Sequence, residues 1–152
     1  MKTLGNIELL KLHKAGYFAS SKIATLSVLP TLDWAAEIAK REDVAVVSGF
    51  HSKMEREVLD YLLRGRCGII CVLARSIYRK VPHKFIDAFN QNRVLFISEE
   101  KNRQTTMTGK ATAQKRNRHV ASMSDELVFS SLSPDSSLYQ IFQSSEKPTT
   151  TI

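Results

Sequence analysis

Apolar residues gather in four runs, at positions 44–47, 68–74, 94–97 and 127–129, with a weaker run at 15–19. Each run is continuous rather than alternating, the pattern of strands covered on both faces. The starts at Val44, Ile69, Val94 and Leu127 lie 25, 25 and 33 residues apart. That spacing leaves room for a crossover helix between each pair of parallel strands.

The intervening segments read as those helices. Positions 32–40 follow Pro30 and set Leu32, Ala35, Ala36, Ile38 and Ala39 on one broad apolar face. Positions 52–64 open with Ser52 and Glu55 at capping-box spacing, where each side chain reaches the other's free N–H. Met54, Val58, Leu59 and Leu62 form the stripe to be buried, and Gly65 supplies a left-handed stop. Positions 82–90 begin with Pro82 in a first-turn place and offer Phe85, Ile86 and Phe89 to the core. Positions 108–123 form a helix capped by Thr108. Alternating strands and helices predict an α/β fold: a doubly wound, mostly parallel sheet of about five strands with helices on both faces. Beyond Ser130 the chain turns rich in serine and threonine. A short helix is expected at 136–143 through Leu138, Ile141 and Phe142. Positions 144–152 are expected to be a disordered tail, leaving a single domain over 1–143.

Composition changes this picture little. The chain has 152 residues, 43% apolar and 24% charged, which suits one globular domain. No stretch of about 18 or more apolar residues occurs, and the amino terminus lacks a signal-peptide core, so the cytoplasm is the expected compartment. Cys67 and Cys71, four positions apart in or beside one strand, would lie roughly 13 Å apart, too far for a disulfide. They read as reduced core thiols. His13, His51, His83 and His119 share no metal-binding spacing, and no cofactor is implied.

Charge is more informative. The net charge is +7, and positions 101–118 hold six basic residues (Lys101, Arg103, Lys110, Lys115, Arg116 and Arg118) with no acidic one. One short segment therefore carries nearly all the excess, an electrostatic footprint for phosphate. In sheets of this class ligands bind beyond the carboxyl ends of the strands. Three segments converge there. Ser48, Gly49 and Ser52 link a strand to a helix whose first N–H groups favour an anion, although Glu55 adds a negative charge. Arg75, Arg79 and Lys80 surround Tyr78 just after another strand, a mixture suited to single-stranded nucleic acid. Thr108 and Gly109 open the basic helix, along which Lys110, Gln114 and Arg118 recur every four residues on one face, flanked by Lys115 and Arg116. Glu99 and Glu100 sit at a strand end, but neighbours in a strand point to opposite faces and would not act together. There is no GxGxxG, P-loop or GxSxG signature, and no catalytic constellation stands out.

The order of these motifs resembles the DprA/Smf family of DNA-processing proteins, part of a wider Rossmann-like group that includes the LOG nucleotide-processing proteins. The family's Ser-Gly-x-Ala-Arg-Gly-Ile-Asp run has its counterpart in Ser48–Glu55. Its Ser-Glu strand end is matched by Ser98-Glu99, and its Arg-Asn-Arg helix by Arg116-Asn117-Arg118. The family's Arg in the first motif falls on Ser52 and its Gly on Lys53. Its Gly-Ser-Arg turn falls on Ala19-Ser20-Ser21, its final strand has no evident counterpart, and the LOG-type Pro-Gly-Gly-x-Gly-Thr motif is absent. The resemblance implies a short, stand-alone, Rossmann-like relative that binds single-stranded DNA, as a homodimer and with a recombinase partner. Ser48, Gly49, Arg116, Asn117 and Arg118 carry over most directly. The expected function is DNA binding without catalysis, with Arg116, Arg118, Lys110 and Arg75 on phosphates. The alternative is a nucleotide sensor or LOG-like hydrolase using the same crevice.

Overall fold

The structure, a computed structural model, describes residues 1–100 and 109–152. In chain order the elements are β1 (Lys2–Gly5), a 3₁₀ turn (Ile7–Lys11), β2 (His13–Ala19), α1 (Thr25–Ile38), β3 (Val44–Ser48), α2 (Lys53–Leu63) and β4 (Gly68–Leu73). A second 3₁₀ turn (His83–Phe85) leads into α3 (Ile86–Asn90). Then follow β5 (Val94–Ser98), α4 (Lys110–Met123), β6 (Glu126–Ser130), α5 (Leu138–Ser144) and β7 (Thr149–Thr151). The strands make one seven-stranded sheet in the order β1-β5-β4-β3-β2-β6-β7. Only β1 is antiparallel, against β5; the other neighbours run parallel.

The continuous apolar runs follow from this layering. Val44, Val46, Ile69, Cys71 and Phe96 face α1, α2 and α3. The alternate positions Ala45, Val47, Ile70, Val72 and Leu95 face α4, α5 and the first 3₁₀ turn. Both faces of the central strands are dry, so neither alternate set can be polar. The sheet reverses its winding between β2 and β6, which neighbour each other although α1 to α4 lie between them in sequence.

Several elements depart from expectation. The two added strands, β1 and β7, are short edges with exposed side chains, so they carry no continuous apolar signal. The expected disordered tail instead supplies β7, which pairs Leu127–Phe129 with Thr149–Thr151 and provides a strand after the last helix. Helix α1 starts at Thr25, so Pro30 lies inside it. Pro30 is exposed, and the backbone bond it cannot make falls on the wet side, where water replaces it. Gly65 is not left-handed, since the one glycine with positive φ is Gly5. A Cβ on Gly65 would meet the Ala39 carbonyl, and close approach to α1 is what the position requires. The carbonyls at the end of α2 are taken instead by Arg93, whose guanidinium donates to Leu62, Leu63 and Cys67 at 3.1, 2.8 and 2.8 Å. Thr108, the expected cap of α4, lies outside the described residues. The first turn of α4 is held by Thr112 Oγ1, which accepts from the Gly109 N–H at 2.9 Å.

Candidate functional site

The site grows from the end of β3. Ser48 is buried, and its Oγ accepts the Phe50 N–H at 3.1 Å, closing a tight turn in which Phe50 takes the left-handed φ of 47°. The chain then enters α2 through the expected capping box. The Glu55 carboxylate accepts from His51 and Ser52 with one oxygen, at 3.0 and 3.1 Å, and from Ala19 at the end of β2 with the other, at 3.0 Å. Three N–H donors account for a carboxylate that is only 5% exposed. The Glu55 carboxylate thus places a negative charge of its own at this helix start and takes up the N–H groups of the turn that leads into it. Ser52 is committed to the cap as well, its Oγ accepting from Glu55 at 3.3 Å.

Gly49 comes next, and its space is filled by Arg116. A Cβ built on Gly49 would lie 2.4 to 2.5 Å from Arg116 Nε, Cδ and Cζ. Helix α4 packs through Val120 on one face of the sheet. The Arg116 guanidinium passes across Gly49 to a cleft that Leu59, Cys71 and Phe85 line from the opposite face. Only glycine permits that crossing. Arg116 is 7% exposed. Burial pulls its pKa below the ordinary arginine value, opposed by the nearby charge of Glu55. Its Nε donates to Asn117 Oδ1 at 3.0 Å. Among the described residues no carboxylate lies within ion-pair distance of it, and positions 101–108 contain no Asp or Glu. Buried charges are ordinarily paired, and among the described residues this guanidinium has no counterion within ion-pair reach.

The cleft has a volume of about 240 Å³. Arg56 from α2, Arg75 and Tyr78 from the loop after β4, and Lys84 from the second 3₁₀ turn share its wall with Gly49 and Arg116. The Arg75 guanidinium lies 4.7 Å over the Tyr78 ring, and Tyr78 stands edge-on to Phe96 at 5.3 Å. An arginine stacked in this way is held flat and presents its outer face to the cleft. Lys84 has one weak ion pair, to Asp60 at 3.7 Å. Cys71 lies at the base, its thiol pushed up to about 12 by burial, which leaves it protonated and unreactive. Ser98 Oγ donates to the Arg75 carbonyl and accepts from the Glu100 N–H, so the Ser-Glu strand end braces the Arg75 loop.

The basic helix does not act as one surface. Of its four described cations, Arg116 alone lines the cleft. Lys115 pairs with Glu100 at 3.7 Å. Lys110 and Gly109 are exposed at the helix start. Arg118 and Asn117 line a separate groove against α5. Glu99 and Glu100 both turn toward α4, Glu99 meeting His119 at 3.5 Å, because they follow β5 rather than lie in it. Arg56 and Lys84 were missed by motif reading. Their signal was positional: each stands in the first turns of an element that begins at the carboxyl rim.

A second cleft marks the reversal between β2 and β6. Ser21, Lys22, Ile23, Ala24 and Ser27 line it with Ser131, Leu132 and Ser133, around about 640 Å³ of open space. It holds one cation, and the Ala24 N–H is already bonded to Ser131 Oγ at 2.8 Å. Among the described residues no helix is long and apolar enough to cross a membrane.

A family model described as DNA recombination-mediator protein A matches residues 2–137. A search of curated proteins gives no match. Among solved structures, DNA processing protein A from Helicobacter pylori, studied for its single-stranded DNA binding mode, superposes with a TM-score of 0.76. The two share 24% identity, covering 98% of this chain and 69% of that one. DNA processing protein A from Streptococcus pneumoniae superposes with a TM-score of 0.74 at 15% identity, covering 98% of this chain and 53% of that one. The chain thus spans about half the length of the latter protein.

Proposed function

Because the chain belongs to the DNA recombination-mediator protein A family, we propose that it binds single-stranded DNA at the cleft over Gly49. The observation that carries this reading is Arg116, a buried guanidinium with no carboxylate partner, set among cations from three other elements. Phosphate is the anion that such a fork fits. Arg56, Arg75 and Lys84 extend the positive wall, and the Arg75–Tyr78 stack offers a flat surface to a base. A free nucleotide at the cleft between β2 and β6 is less well supported, since that cleft has a single cation, Lys22. Dimerisation and delivery to a recombinase are part of the reading through the family resemblance alone.

The test is a titration of labelled single-stranded and duplex oligonucleotides at two ionic strengths. Neutralising about four phosphates gives a slope of log K against log salt near −3 for single strands. Single strands bind more tightly than duplex, and the charge reversal Arg56→Glu/Arg75→Glu abolishes binding. A signal independent of salt, or unchanged in that variant, overturns the proposal.

A further inference from the structure

This inference rests on the single-strand reading and extends it to the other side of α4. Successive residues of a helix turn by about 100°, so Arg116-Asn117-Arg118 cannot serve one place. Arg116 enters the cleft over Gly49. Asn117 and Arg118, with Gln114 one turn earlier, line a groove of about 390 Å³ against α5. Ser137, Gln140, Ile141 and Ser144 form the opposite wall. Both helices follow the carboxyl end of a strand, so the groove begins at the same rim as the cleft. Asn117 lines the groove alone but is tied to the cleft: its Oδ1 accepts from Arg116, and among the described residues its NH₂ makes no hydrogen bond.

The two places differ in chemistry. The cleft is lined with cations, whereas the groove has three carboxamides, two hydroxyls, one guanidinium and a single apolar side chain. No carboxylate lines it, and among the described residues Arg118 makes no ion pair. Cations hold a strand whatever its sequence. Carboxamides present a donor and an acceptor side by side, as base edges do, and therefore discriminate. A volume near 390 Å³ is within the range of small-ligand pockets. We infer that the groove between α4 and α5 is a base-reading subsite. It takes the nucleotide adjoining the one held over Gly49, with phosphate on Arg118 and base edge against Gln114 and Gln140. Adenine fits this wall, since its N6 amino group and N7 match a carboxamide's acceptor and donor.

The test compares labelled dA and dT homopolymers of equal length on the wild-type chain, on Gln114→Ala/Gln140→Ala and on Arg116→Met. The wild type favours dA by about fivefold or more, the lower end for one bidentate carboxamide–adenine pair. The double glutamine variant melts at the wild-type temperature and binds both homopolymers at the wild-type dT level. Arg116→Met weakens both equally and keeps the preference. Equal wild-type affinities, or a preference that survives loss of both glutamines, overturns the subsite while leaving the interface reading intact. Absence of single-strand binding, or affinities unmoved by Arg116→Met, overturns the interface reading itself.

Discussion

Glu55 and Arg116 are both buried charges on the same rim, and they have opposite fates. Glu55 accepts three backbone N–H groups and joins the end of β2 to the start of α2. Among the described residues the Arg116 side chain makes one hydrogen bond, to its own neighbour Asn117, and meets no carboxylate. A satisfied buried charge belongs to the scaffold. One left without a counterion costs stability and keeps its interaction for a ligand. Motif matching alone ranks the two together, since both fall in motifs of the family pattern; the bonding separates them.

The comparison is broken most severely by Glu55→Ala. Three N–H groups lose their acceptor, that of Ala19 in a buried place, and about 3 kcal/mol of stability should be lost. Thermal unfolding would show this as a fall on the order of 10 °C in a chain of this size. Arg93→Ala should cost about 2 kcal/mol, because the last carbonyls of α2 lose their donors. It lies outside the cleft lining, so affinity for single strands should stay at the wild-type value in the same titration. Gly49→Ala sharpens the contrast. The new Cβ meets Arg116, a flexible side chain, so stability should change by only about 1 kcal/mol while single-strand affinity falls as it does on removing Arg116. Arg116→Met keeps the bulk and removes the unpaired charge. Its melting temperature should hold or rise by a few degrees, since replacing a buried charge with an apolar group is often neutral or stabilising. A clear loss of stability in Arg116→Met would place Arg116 with Glu55 as scaffold.

Much of the architecture was legible because β3, β4 and β5 are dry on both sides and must be apolar without interruption. Helix α2 announced itself through Ser52, Glu55 and the Met54–Leu62 stripe. The edges were not legible: β1 and β7 are short and exposed, and their pairing is set by the neighbouring strand rather than by their own residues. At the site, the link between the Ser48-Gly49 turn and the Arg116 segment was suggested by motif order. The division of α4 was not, because the direction of each cation depends on how the helix docks, and a shift of one residue turns a side chain by about 100°. Pairing was equally hidden. Lys115 looked equivalent to Arg116 until Glu100 was placed beside it. Arg56 and Lys84 belong to no motif and are recruited by position alone.

The most direct measurement of the central claim is the salt dependence of single-strand affinity in the wild type and in Arg116→Met. Loss of one phosphate contact should make the slope of log K against log salt shallower by about 0.7 and lower the affinity at physiological salt, with the fold intact. An unchanged slope and affinity would contradict the assignment of Arg116 to phosphate.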